Sequence, residues 1–472
     1  MPGLSSPTAS ARNPAAVPAL LGVWAAAIAV APGTVVKLLI ALPVCAGIVT
    51  WWTLPDPQRW LTLFFFASLL LPPLPLPFGN SGVHLAPLFL LPGILNGTLR
   101  IAEWRKWNGP LPLLFFVFAT ILAASTGLAA IYSGSAIAAG SMARVALFAI
   151  SVFVFMYTYA GPRARYFDPL HFARLLFIFG SLGALFACFD FYYQFPAPAG
   201  YGDQFIWVGQ VVLRRAQGLF YEASTLGNFC AFFLVMILVA FFRPAEERPC
   251  SRVAMALGGG LFACALIFSY SRASLVNVAV ASCAFVYIRR VRIRLPAVLG
   301  LVLAAGVALM LIRIAMPVLA AHYWTRIQSS FEFFGTAPDR VLSGRLASWT
   351  IIGDFLARHP WHVIFGIGYK TLPYTGYVVT GGIVADNTWL SLLAETGIAG
   401  VAAFGVLNFA MLRTALKAAR SPLPRAAFFG SWIFCFWTGE MVQMLSGDLI
   451  TYWRVLPLYF WVLATAAREA GE

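Results

Sequence analysis

Apolar runs follow one another along nearly the whole chain, separated by short polar breaks. They fall at 16–31, 34–53, 60–74, 84–99, 111–132, 139–160, 170–194, 223–242, 253–270, 273–288, 295–317, 388–411, 426–443 and 449–466. A helix of about 20 apolar residues crosses the hydrocarbon core of a bilayer, so the pattern predicts about 14 spans, or nearer a dozen if the shorter runs are re-entrant. The short alternating segments of a membrane barrel are not seen. The predicted fold class is therefore all-α, a polytopic bundle of transmembrane helices. Two stretches break the rhythm, 196–224 and the longer 318–387. Within the second, 343–360 has helical periodicity: Ser343 stands ready to cap it, Trp349, Ile352, Phe355 and Leu356 fall on one side, and Pro360 ends it. Such a helix is expected to lie in the membrane interface. The glycines of FGIGYKTLP (365–373) then predict a tight turn or a close backbone approach. The expected organisation is N-terminal membrane helices (1–195), membrane helices with a first outer loop (196–317), a long outer loop (318–387) and C-terminal membrane helices (388–472).

Composition agrees with the pattern. The chain is 61% hydrophobic and 10% charged, more apolar than a soluble chain of 472 residues can bury. Its few charges are unevenly spread. Short loops rich in Lys and Arg occur at 100–109, 161–169, 242–252, 288–296 and 413–425. Alternate connections of the predicted bundle give this same set, which the positive-inside rule assigns to the cytoplasm, with both termini inside. The net charge of +15 is accounted for mainly by these loops facing anionic lipid and asks for no nucleic acid. The seven cysteines and five histidines show no metal-ligand or disulfide spacing, and neither a P-loop nor a Rossmann fingerprint is present. No cofactor is expected. The first residues read as a short tail before the first span.

Polar residues that the apolar pattern does not explain form three groups. RRAQGLFYEAS (214–224) brings Arg215, Gly218 and Glu222 together where a span begins; they form either an interfacial arginine with a helix-capping carboxylate or an anion site, since guanidinium matches two phosphate oxygens. SYSRAS (269–274) leaves Arg272 between two spans, where it needs a carboxylate or carbonyls; Glu395 is one expected partner. The third group comprises Arg345, Tyr369, Lys370 and Asp386-Asn387. Asp386 suits an N-cap, a role that does not exclude catalysis. Asn387, Ser391 and Glu395 recur at i, i+4 and i+8, giving a polar helix face that must turn toward the protein interior or a watery cavity.

In order, R-x-x-G-x-F (Arg215, Gly218), S-x-S-R (Ser269, Ser271, Arg272), S-G-R-x-x-x-W (Arg345, Trp349), G-x-G-Y (Gly366, Gly368, Tyr369) and D-N-x-x-L-x-x-x-x-E-x-G-x-x-G (from Asp386 to Gly400) resemble the bacterial O-antigen ligase and O-antigen polymerase superfamily. The motifs cover roughly 205–410. The resemblance implies a multi-pass protein of the bacterial inner membrane that acts on its periplasmic face in lipopolysaccharide or exopolysaccharide assembly. It implies a polyprenyl-diphosphate-linked glycan as donor and a glycan or lipid as acceptor. By motif, Arg215 and Arg345 are the arginines for the diphosphate. Ligases of the family carry His-Asn where this chain has Asp386-Asn387, which tilts the expectation toward a polymerase-like member over a ligase to lipid A-core. Asp386 is the expected base or acceptor-binding group, with Glu222 the alternative base. Arg272, Asn387, Glu395 and Tyr369 are expected to support them. Arginine clusters also suit a flippase for lipid-linked glycans, which would need charge reachable from both sides.

Overall fold

The computed structural model describes residues 16–471, apart from 57, 75–76, 79–80, 163–166, 199–200, 209–210, 290–309, 311–312, 315, 334–335, 337–338, 340–341 and 343. The expected span 295–317, the basic loop at 288–296 and the Ser343 cap lie wholly or largely outside the described residues. Each other expected span coincides with a helix: α1 Ala16–Val30, α2 Gly33–Thr53, α3 Arg59–Leu70, α4 Leu90–Leu99, α5 Leu111–Ser133, α6 Ser135–Ala160, α7 Pro169–Tyr193, α8 Ala223–Phe241, α9 Arg252–Phe268, α10 Arg272–Arg289, and, after the long loop, α14 Thr388–Ala419, α15 Pro424–Gln443 and α16 Leu456–Glu469. The long loop itself holds α11 Pro317–Phe333, α12 Arg345–Arg358 and α13 Trp361–Phe365. Among the described residues the strands form two short antiparallel hairpins, Pro77–Phe78 with Ser81–Gly82, and Phe205–Val208 with Val211–Arg214. The fold is an all-α polytopic bundle.

Among the described residues six helices are long and apolar enough to cross a membrane: α5, α6, α7, α8, α10 and α14. Helices α3 and α4 are shorter than a full crossing requires. Helix α16 begins at Leu456, seven residues after the predicted start, because Leu449–Thr451 forms a separate 3-10 turn. From Leu456 to Ala467 every residue of α16 is buried. It packs against α6, α14 and α15 and forms the centre of the bundle. Trp461 meets Phe172 and Phe429 there, and Tyr459 packs on Phe232 and Phe436. Among lipid-facing helices such contacts act through dispersion and shape, since lipid tails are as apolar as the side chains.

The basic connections gather at one end. Arg425 pairs with Asp168 at 3.2 Å, Arg174 donates to the Pro249 carbonyl, and Arg468 donates to the carbonyls of Thr158 and Gly161. The loops that lead into α8 and α14, and the one that leaves α15, lie at the opposite end. Near that end Arg454 is fully buried. Its guanidinium donates to the carbonyls of Ser68, Leu71 and Leu219, so one side chain ties the C-terminal end of α3 to the loop before α8.

Helix α12 departs from expectation in its surroundings. Its apolar side is covered by protein: Ile352, Phe355 and Leu356 are buried in a small core with Ile367, Leu372 and Ala394. Its N-terminus is served from upstream by Asp339, whose carboxylate accepts from the amides of Leu346 and Ala347. Pro360 does end the helix, which stops at Arg358.

Candidate functional site

The site starts from a turn. After the hairpin, Arg215 donates its backbone amide to Gln204, and Ala216 donates to the carbonyl of Phe268. The Arg215 Nε donates to the Ser269 carbonyl at 2.8 Å. The first two motifs of the sequence therefore meet: the S-x-S-R turn supplies the oxygen that aims the R-x-x-G arginine. Gly218 has a positive φ of 55°, and a Cβ there would stand 3.0 Å from Ala187 Cβ, so the chain lies tight against α7. The Asp190 carboxylate accepts from Gly218 N and pairs with Arg214, holding the turn from behind.

Glu222 occupies the residue before α8, as a cap would, yet its side chain does not cap the helix. Gln204 Oε1 accepts from the Ala223 amide instead, and the Glu222 carboxylate accepts from Ser224 Oγ at 2.7 Å. Burial pushes the Glu222 carboxyl above the ordinary carboxylate value; Asp386 and Asp448 push it the same way, against Ser224 and Arg215. Burial lowers the Arg215 guanidinium; Arg345 acts in the same direction and Glu222 opposes it. The charges of Asp386, Asp448 and Arg215 thus reach Glu222, and that of Arg345 reaches Arg215.

Arg345 opens α12 and pairs with Asp386, Nε to Oδ2, at 3.4 Å; the Asp386 side chain is half exposed and that of Arg345 a quarter exposed. Trp349 Nε1 donates to the Ala385 carbonyl at 2.7 Å and docks α12 on this strand of chain. The cap of α14 is Asn387, not Asp386. Asn387 Oδ1 accepts from the amides of Trp389 and Leu390, at 3.0 and 3.1 Å. Asp386 stands one residue earlier with φ of +46°, a left-handed conformation that Asp tolerates, and its carboxylate is thereby turned to Arg345.

Ser391 and Glu395 are buried, as a polar face turned inward requires. The reason for a carboxylate there is a broken helix. Gly397 interrupts α14 with φ of 69° and ψ of −168°. The carbonyls freed at the break take amides from the long loop: Ile367 N bonds to Ala394 O and Gly368 N to Glu395 O. The Glu395 side chain then accepts from Leu372 N and from the backbone of Lys370. The GIGYKTL segment is thus a loop that enters the bundle with part of its backbone satisfied by α14, the condition for irregular chain among buried helices. Lys370 is a cation whose charge acts on Glu395. Arg272 begins α10 and is half-buried. Tyr369 is buried; its carbonyl accepts from Ser141 and its amide donates to Ser125, which fixes the loop to α5 and α6.

Asp448 was not foreseen. It lies in the loop between α15 and α16, ion-paired with the buried Lys370. Thr388 N and Oγ1 donate to the carbonyl of Gly447 and stitch that loop to the start of α14. Its only trace in the sequence is a polar SGD break between two apolar runs. Arg144 was also missed; its guanidinium stacks 4.5 Å over the Tyr374 ring and its charge reaches Tyr221, beside Glu222. Among the described residues no group of three or more His, Cys, Asp or Glu side chains is placed to hold a metal ion. The arrangement can bind a di-anion between guanidiniums and present carboxylates beside it.

Residues 257–405 match the family model described as O-antigen ligase. The match runs from within α9 into α14 and contains the S-x-S-R turn, Arg345, the loop at 366–372, Asp386 and Glu395; Arg215 and Glu222 precede it. It supports the O-antigen ligase and polymerase superfamily that the motif order resembles. No curated protein matches the chain significantly.

Proposed function

We propose, from the premise of an O-antigen ligase segment within a multi-pass membrane bundle, that this protein transfers glycan from a polyprenyl diphosphate to an acceptor hydroxyl at the periplasmic face of the inner membrane. The observation that carries the reading is the convergence of Arg215, Glu222, Arg345 and Asp386, from motifs about 170 residues apart, at the end of the bundle away from the basic loops. In the reaction the acceptor oxygen bonds to the anomeric carbon, the bond from that carbon to the diphosphate oxygen breaks, and polyprenyl diphosphate leaves with the electron pair. Arg215 and Arg345 take up the negative charge that grows on the leaving group. Guanidiniums already fixed by a carbonyl and a carboxylate need little reorganisation to do so.

The acceptor proton goes to a carboxylate. Glu222 suits that role best, because burial makes its carboxylate more basic than an ordinary one and so nearer the pKa at which a base works well at neutral pH. Asp386, half exposed and held by Arg345, binds the acceptor hydroxyl and orients the guanidinium. Asp386 in place of a histidine favours chain growth on a glycan acceptor, a polymerase-like reaction; the description of the matching family favours ligation to a lipid acceptor. Purified protein given a polyprenyl-diphosphate oligosaccharide, alone or with lipid A-core, separates the two by product: longer glycan on the polyprenyl carrier, or glycan on the lipid. Release of polyprenyl diphosphate accompanies either. Glycan crossing vesicles with no release would replace the transferase by a flippase.

A further inference from the structure

Another carboxylate is buried in the bundle and takes no part in the reaction just described. Glu440 on α15 is fully buried, without an ion-pair partner among the described residues. Its Oε2 accepts from the side-chain amides of Asn228 on α8 and Asn277 on α10. Asn277 also donates to Gln443 Oε1 at 3.2 Å, Gln443 Nε2 donates to Ser274 Oγ at 3.3 Å, and the hydroxyls of Ser274 and Ser271 share a hydrogen bond of 2.8 Å. Ser271 N in turn donates to Ser269 Oγ. The chain of bonds ends at the turn whose Ser269 carbonyl receives Arg215 Nε.

That turn is strained. Tyr270 has φ of +52°, a left-handed conformation that an aromatic residue keeps only where its surroundings impose it. The surroundings do so through two glycines. A Cβ on Gly227 of α8 would stand 2.6 Å from Ser271 Cβ, and one on Gly439 of α15 would stand 2.2 Å from Asn277 Oδ1. Both helices have thus been cut away where the serine turn and Asn277 press against them. Buried side-chain amides inside a membrane bundle are costly unless paired, so this series of bonds has few alternative arrangements.

We propose that Glu440, through Asn277, Gln443, Ser274 and Ser271, is a positioning residue for Arg215: it locks the Ser269–Ser271 turn and so fixes the guanidinium that receives the diphosphate. The inference rests on the diphosphate role given to Arg215 above. Glu440→Gln keeps an oxygen for both amides and stays near wild type. Glu440→Leu removes the acceptor, and Gln443→Met cuts the series between Asn277 and Ser274 while nearly preserving volume.

The test is a double-mutant cycle with Arg215→Lys, read as binding of a glycan-free polyprenyl diphosphate to full-length protein in detergent and, separately, as donor KM and kcat. Glu440→Leu and Gln443→Met should each weaken binding about 10-fold in the wild-type background and less than about 2-fold in Arg215→Lys, because the second change then has little left to disturb. Equal factors in the two backgrounds, or no loss in either, overturn the proposal, since a merely structural role is indifferent to residue 215. So does a wild-type protein that does not bind the probe. If Glu440→Leu does not fold, Gln443→Met carries the same cycle alone. A wild type that binds the probe but transfers no glycan ends the transferase reading and leaves the binding cycle to decide this one.

Discussion

At the scale of the residue, neighbouring carboxylates are set apart by their surroundings. Glu222 has its carboxyl raised by burial, so its proton is lost at a pH above the ordinary carboxylate value. Two consequences share that cause. As a base it works only when deprotonated, so kcat/KM should rise with pH through this raised value, and Glu222→Gln should abolish that limb along with about 10²–10⁴ of the rate. For folding the sign is reversed: a carboxyl raised in the native state contributes stability below its unfolded pKa and loses it as pH rises through the folded one, so Glu222→Gln should also flatten the stability curve across that window. A wild-type pH limb in Glu222→Gln would return the base to Asp386. Asp386→Asn should act chiefly on acceptor KM and leave helix α14 as stable as before. Asn387→Ala, one residue on, should cost about 1 kcal/mol of stability, since it removes the cap of α14. Thermal unfolding of the two variants side by side checks this. An Asn387→Ala variant as stable as the wild type would take the cap away from Asn387.

At the scale of the element, the decisive piece is the break in α14. The ends of the site are held by a loop that enters the bundle and bonds to the carbonyls freed at Gly397. A Cβ at Gly397 would lie 2.1 Å from the Ile364 carbonyl oxygen, with a backbone φ of +69° besides. Gly397→Ala should therefore fail to give monodisperse protein in detergent. Gly405→Ala, further along the same helix, would meet only Trp389, at 4.0 Å, and should be neutral or gain up to about 1 kcal/mol. Equal behaviour of the two variants in size-exclusion and thermal assays would contradict the interlock. The sequence reveals this element only in part. Helix positions follow from run length, and Arg215, Arg345 and Asp386 stand out through the order of the motifs that contain them. The pairing of Gly366–Leu372 with α14 does not follow, because E-x-G-x-x-G reads as uninterrupted helix until a partner backbone is known. Nor does the cap: Asp and Asn suit it equally, and only the left-handed φ of Asp386 decides between them. Asp448 and Glu440 belong to no spacing pattern and acquire meaning only from residues on other helices, Lys370 for one and Asn228 and Asn277 for the other.

At the scale of the whole molecule, the segregation of charge is itself a prediction. Reporter fusions after Arg105, Glu247 and Ala419 should report the cytoplasm, and fusions after Asp203 and Phe355 the periplasm. A cytoplasmic signal at Phe355 would put Arg345 on the wrong side for an outer-face donor and sink the transferase as described. One feature of the bundle also bears on how it is made. Helix α16 is enclosed by α6, α14 and α15, all of which leave the ribosome before it. The nascent bundle must therefore hold a vacant slot, lined by Phe172, Phe232, Phe429 and Phe436, until translation supplies its filling. Packing of the end of the bundle that carries Arg215 and Arg345, which Arg454 and Asp448 help to fasten from the loop just before α16, therefore waits on α16.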